Sequence, residues 1–150
     1  MTGAFFIPFQ KAHHLPNGHT LGKKERLKSR KQLDRLFKEG RALTVPPFRV
    51  LFILEPQSAE APVPALQFSV GASIRNFKKA VDRNLIKRRV REAYRQQKIG
   101  LENALNAQGG TLRIFFIYTA RELPEWDLVN AKMQLALQEL EKEIARSPRP

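Results

Sequence analysis

Residues 82–95 read DRNLIKRRVREAYR. Six of these fourteen positions are Lys or Arg, and apolar residues recur among them at three- and four-residue spacing. That period is helical. Wound at 100° per residue, Ile86, Val90, Ala93, Tyr94 and Gln97 fall on one arc. Asn84, Lys87, Arg88, Arg91, Arg95 and Lys98 fall on the neighbouring arc, with Arg83 at the border between them. The segment therefore predicts a helix over about 78–98, one side made for a core and the next a cationic stripe roughly 24 Å long. Lys87, Arg91 and Arg95 form an i, i+4 series of like charges, which destabilises a helix standing alone. Asp82 and Glu92 are the only acids nearby, too few to neutralise it. A polyanionic partner would relieve the repulsion.

The whole chain has 150 residues and a net charge of +13. The charge is concentrated. Residues 75–98 hold ten basic and two acidic residues, whereas residues 99–150 hold six basic and seven acidic. A solvated surface mixes both signs; a block of one sign points to nucleic acid, bound through phosphate neutralisation and counterion release. Hydrophobic content of 42% supports a single globular domain. No apolar run is long enough to span a bilayer, and the opening MTGAFFIPFQ lacks the basic start of a signal peptide. The chain has no cysteine, which excludes disulfides and thiolate metal sites and fits a cytoplasmic protein.

Outward from the basic helix, other elements follow by pattern. Residues 1–22 read as a flexible arm, and 23–150 as one nucleic-acid-binding domain. His13, His14 and His19 all lie in the arm without acids beside them, so no metal site is expected. SRKQLDRLFKE, 29–39, predicts a helix capped by Ser29, with Leu33, Leu36 and Phe37 on one face and Gly40 at its end. Pro46-Pro47 breaks the chain before FRVLFIL, 48–54, a strand apolar at nearly every position. EPQSAEAPVP, 55–64, reads as a loop, ALQFSV, 65–70, as a second strand and GASIRNF as a connection. Gly100 is placed to stop the basic helix. LENALNAQGG is a short helical piece or loop, and TLRIFFIYT, 111–119, a third strand. A last helix, about 125–145, buries Trp126, Val129, Met133, Leu137, Leu140 and Ile144. The order α-β-β-α-β-α predicts an α/β (α+β) two-layer sandwich, a small central sheet with helices packed on it.

The basic segment also carries a family resemblance. KKAVDRNLIKRRVREAYR resembles the signature of the bacterial ribonuclease P protein component, through Lys79, Ala80, Val81, Arg83, Asn84, Ile86, Lys87, Arg88, Val90, Arg91 and Glu92. GKKERLKSRKQLDRLFKEGR resembles that family's N-terminal helix and the basic segment before it, through Lys24, Arg26, Leu27, Phe37 and Gly40. The likeness runs over about residues 21–145. Two departures stand out. The family's usual Arg-Asn-Arg reads Arg83-Asn84-Leu85, with Arg89 as the candidate to compensate, and the loop before the helix keeps only Arg75 before Lys78.

The resemblance implies a ribosomal-protein-like domain with a left-handed βαβ crossover. It implies a non-catalytic subunit: a large RNA removes the 5′ leader of precursor tRNA by metal-dependent hydrolysis, with Mg2+ at the RNA active site and no cofactor on the protein. Arg83, Asn84, Lys87, Arg88, Arg91 and Arg95, with Lys79 and Arg75, would dock the catalytic RNA. A cleft between the first helix and the sheet would hold the single-stranded leader through Phe37, Leu33, Phe48, Val50 and Phe52, since single strands bind by stacking on aromatics beside positive charge. No catalytic residue is expected in the chain. The expected partners are ribonuclease P RNA and precursor tRNA, with neither membrane nor DNA. Another reading, a ribosome-associated or other structured-RNA-binding protein, shares the charge and the fold and differs in partner.

Overall fold

The computed structural model describes residues 25–27, 29–56 and 66–146. The expected arm, its histidines, Lys24 and most of the 55–64 loop lie outside the described residues. The elements run α1 (Arg30–Glu39), β1 (Arg41–Val45), β2 (Phe48–Pro56), β3 (Leu66–Ala72), α2 (Ala80–Gln97), α3 (Ile99–Gln108), β4 (Gly110–Tyr118) and α4 (Trp126–Arg146). The strands form one mixed sheet in the order β1-β2-β4-β3. β1 and β2 make an antiparallel hairpin, β2 and β4 are antiparallel, and β3 runs parallel to β4. The parallel pair is joined by a crossover through α2 and α3.

The apolar stripes of α2 and α4 explain the main layer. Ile86, Val90, Ala93 and Tyr94 from α2, and Val129, Met133, Ala136, Leu137, Leu140 and Ile144 from α4, share one buried cluster with one face of the sheet. Each large apolar side chain taken out of water there contributes about 1.5–3 kcal/mol. Gln97 closes the α2 face by donating to the backbone oxygen and Oδ1 of Asn130 on α4, at 3.1 and 2.7 Å. Trp126 packs at the edge, only partly buried. α1 lies on the other face of the sheet, where Leu36 joins Leu27 and Leu51, with Leu33, Ile53, Phe115 and Ile117 packed around them. Ser29 caps α1, its Oγ accepting from the Gln32 N–H, and the Gly40 N–H closes it on the Leu36 carbonyl at 2.9 Å.

One strand is added to the sequence expectations here, and two of them are corrected. RALTV, 41–45, is a strand; Leu43 and Val45 alternate with exposed Ala42 and Thr44, as suits the edge of a sheet. Pro46-Pro47 is the turn that pairs it with β2, with a cis peptide bond between the two prolines. Gly100 does not stop α2. It lies inside α3, and the break falls at Lys98, whose side chain turns into the protein. Phe48, Val50 and Phe52 are no cleft residues: all three are in the main core beneath the α2–α4 layer, at 0, 0 and 3% exposure. Adjacent strand residues point to opposite faces, so the face toward α1 belongs to Arg49, Leu51 and Ile53.

α3 ends at Gly109, which adopts φ 83°, the left-handed conformation that spares only glycine a steric cost, and donates its N–H to Leu105 O at 2.7 Å. An added Cβ there would meet nothing within 4 Å, so the cost of Gly109→Ala is conformational alone. We expect that variant to lose about 1 kcal/mol of stability in urea denaturation while its RNA affinity stays unchanged.

Candidate nucleic-acid interface

α2 holds its cations where the wheel placed them, Lys98 excepted, but they are not all equally available. Asn84 and Arg88 are exposed, and Lys87, Arg91 and Arg95 are half-buried along the outer side of the helix. Lys79 and Arg75 are exposed before its first turn. Burial lowers the Arg91 pKa, and the charges of Arg26 and Arg88 lower it further. This crowding of like charge marks an electropositive surface. Arg95 is held by Glu92, one turn back on the same helix. That bond raises the Arg95 pKa and lowers that of Glu92.

Arg83 has a second task. α2 begins at Lys79 without a side-chain cap. The Arg83 guanidinium instead donates to the Phe77 and Lys78 carbonyls, at 2.7 and 2.9 Å, and so fixes the entry to the helix. Arg89 is turned away from the stripe and donates to the Pro124 carbonyl, so it does not compensate for Leu85, which is itself half-buried. Lys98 leaves the stripe altogether: it is 1% exposed and paired with Glu25. Arg75 stands apart from the stripe, on a hollow at the carboxyl ends of β3 and β4 that it shares with Asn76 and Arg121.

The α1 side of the sheet carries a different surface. Phe37 is 55% exposed, yet its ring is held edge-on to Phe115 of β4, with centroids 5.2 Å apart. The Phe115 ring lies so close over β3 that a Cβ on Gly71 would meet it at 3.0 Å. Leu33 and Ile117 flank the pair, and exposed Arg49 stands opposite Ile117 in the register of β2 and β4. Further along, Arg35 and Arg113 are both paired to Glu55, and Arg113 also donates to Gln67 at 3.0 Å. Phe115, Ile117 and Arg49 went unnoticed in the sequence reading. Their signal was the parity of the strands: Arg49 shares that of Leu51 and Ile53, and Arg113 that of Phe115 and Ile117. Among the described residues, no three His, Cys, Asp or Glu side chains gather into a group fit to hold a metal ion. No described helix is long and apolar enough to cross a membrane.

A mixed sheet backed by two long helices, one of them cationic along its outer side, defines a nucleic-acid-binding α+β domain. Residues 21–143 match the family described as Ribonuclease P. The ribonuclease P protein component of Porphyromonas gingivalis strain W83 is 37% identical over 117 residues, which cover 78% of this chain and 83% of that one. A mutant of the Staphylococcus aureus RNase P protein shares the fold with a TM-score of 0.50 at 20% identity, over 82% of this chain and 90% of that one. The Thermotoga maritima RNase P protein gives 0.48 at 23% identity, over 83% and 98%. The chain belongs to the ribonuclease P family, as a protein component of the ribonuclease that processes tRNA 5′ ends.

Two arginines of the basic helix should separate by experiment. Arg88→Ala removes an exposed charge, so the salt dependence of RNA binding should weaken by about one phosphate contact, with the thermal midpoint unchanged. Arg83→Ala also removes two charged hydrogen bonds, worth about 1.5–3 kcal/mol each, so it should lower the melting temperature as well as the affinity.

Proposed function

We propose that this chain is the non-catalytic subunit of ribonuclease P: it docks the catalytic RNA on α2 and guides the 5′ leader of precursor tRNA along the α1 face of the sheet. The observation that carries this reading is the outer side of α2, where Lys87, Arg88 and Arg91 have no acidic partner among the described residues. Arginine is suited to this task because its planar fork meets phosphate oxygens two at a time. Asn84, Arg95, Lys79 and the flank of Arg83 extend the same surface, and Arg75 offers a separate charge on the hollow at the ends of β3 and β4.

Leader binding rests on Phe37 and Phe115. An exposed ring held against a second ring offers a π-face to an unpaired base at little conformational cost. Leu33 and Ile117 extend the apolar floor, and Arg49 supplies a charge for the strand's phosphates. Hydrolysis is assigned to the RNA subunit, with its Mg2+ held there. The protein's contribution is to position substrate and neutralise charge, and its place of action is the cytoplasm.

The direct test is cleavage of a precursor tRNA by ribonuclease P RNA at low Mg2+, with and without the protein, and with the protein alone. Strong stimulation and an inert protein-alone control are expected. Cleavage by the protein alone would overturn the assignment of catalysis to RNA, and tight binding to another structured RNA without stimulation would favour a ribosome-associated role. For the leader face, Phe37→Ala should weaken binding of precursor tRNA by the holoenzyme about 5- to 150-fold, the worth of one stacked base, and leave mature tRNA nearly unaffected. Equal losses on both would remove Phe37 from the leader path.

A further inference from the structure

Residues 25–27 are bound into the fold at three points. The Leu27 N–H donates to Phe68 O at 2.8 Å, and Arg26 forms a parallel bridge with Phe68, so the segment continues the sheet beyond β3. The Leu27 side chain is buried with Leu36 and Leu51. Glu25 is paired with Lys98 at the end of α2, and Lys98 is 1% exposed. Lysine is almost never buried so fully unless it is paired. Withdrawing an ammonium from water costs several kcal/mol, which pairing and hydrogen bonds must offset. The sequence sets Lys98 on the cationic side of the helix, yet it faces inward and is committed to the segment 73 residues away.

This arrangement determines where Arg26 goes. With Leu27 buried and Glu25 drawn to Lys98, Arg26 stays at the surface and lines a cleft with Lys87 and Arg91 of α2. Phe68, Ser69, Val70 and Leu27 complete the lining, and among the described residues no acidic side chain contributes to it. The cleft has a volume of about 260 Å³. That is below the roughly 300–1,000 Å³ of pockets that enclose drug-sized ligands, so it suits a small group. The Arg26 charge is felt at Arg91, whose pKa it helps to lower. Three cations brought together around a cleft without an acid are best satisfied by an anion.

We propose that Arg26, Lys87 and Arg91 grip one backbone phosphate of the RNA in this cleft, and that the pair of partly exposed Glu25 with buried Lys98, which touches no RNA, is the latch that holds Arg26 in place. This rests on the reading of α2 as the RNA-docking face and extends it to a discrete site built from two distant parts of the chain. Lys98 and Glu25 are positioning residues; the ligand is a phosphodiester of an RNA strand.

The test is binding of the full chain to ribonuclease P RNA over a range of salt, for wild type, Arg26→Ala, Lys98→Met, the double variant and Arg88→Ala. Neutralising one phosphate contributes roughly 0.7–0.9 to the slope of log affinity against log salt. Arg26→Ala and Lys98→Met should each lower the slope by about that amount, and the double variant by no more than either alone. A purely structural role for Lys98 would reduce the fraction of active protein and leave the slope intact. If Lys98→Met does not fold, Glu25→Gln opens the same latch from its half-exposed side and should give the same loss of slope. An unchanged slope in Arg26→Ala overturns the site. An unchanged slope in Lys98→Met or Glu25→Gln, or additive losses in the double variant, overturns the latch. Failure of the wild type to bind ribonuclease P RNA would instead refute the docking reading and this inference with it, whereas a normal wild type with the expected loss in Arg88→Ala confines any failure to the cleft.

Discussion

The ring of Tyr94 lies flat on that of Phe68, with centroids 3.9 Å apart and the planes within 8°. This stack, between α2 and β3 and sealed from water, sets the rotation of α2 about its axis. Ile86, Val90 and Ala93 follow Tyr94 inward at helical spacing, and Lys87, Arg88 and Arg91 have no direction left but outward. Like charges along a helix oppose its formation by tenths of a kcal/mol per pair, whereas each large apolar group buried on the other side contributes several times more. The cationic face exists because the buried face outweighs it. Burial also pushes the Tyr94 hydroxyl well above its ordinary pKa, with Glu102 and Glu25 adding to the effect, so the ring stays neutral in the core.

How far a pattern could be read depended on how many faces the element had to satisfy. α2 and α4 each bury one side and expose the other, and a 3.6-residue period in Ile86, Val90, Ala93 or in Val129, Met133, Leu137 admits a single placement. β2 is covered on both faces at its centre. FRVLFIL is apolar in both registers, so apolarity alone did not say which set met α1 and which met α4. The discriminating residue was Arg49, a charge that belongs on the less enclosed face and carries Leu51 and Ile53 with it. β1 was passed over because only two of its five residues, Leu43 and Val45, pack toward the core. Lys98 defied its position on the wheel because its partner, Glu25, is 73 residues distant, beyond any local pattern.

Net charge by itself overstates the binding surface. Arg83 holds the entry to α2, Arg89 a turn before α4, and Arg41 joins β1 to Glu143 of α4 while lying over the Phe52 ring at 5.1 Å. Arg35 and Arg113 converge on Glu55. These side chains organise the fold by hydrogen bonds that reach between elements. Arg26, Lys87, Arg88 and Arg91 remain for the proposed RNA-docking side, and Arg49 for the proposed leader side. Composition signals a polyanionic partner; only the geometry divides the arginines between architecture and recognition.

β4 gives the two surfaces a common origin. Ile114, Phe116 and Tyr118 point into the layer beneath α2 and α4, and the residues between them, Phe115 and Ile117, point toward α1. Phe116 is in ring contact with Phe68, which carries Tyr94 and so α2. Phe115 is in contact with Phe37, whose ring is exposed on the α1 face. One peptide unit thus separates the support of the cationic helix from the support of the proposed leader face. Protein interiors are close-packed and transmit displacement, so the spacing between the two surfaces is set by the pleat of a single central strand. The proposed role, holding one RNA while aligning another, needs that distance to be constant, and a central strand paired on both sides is the part of the sheet least free to change it.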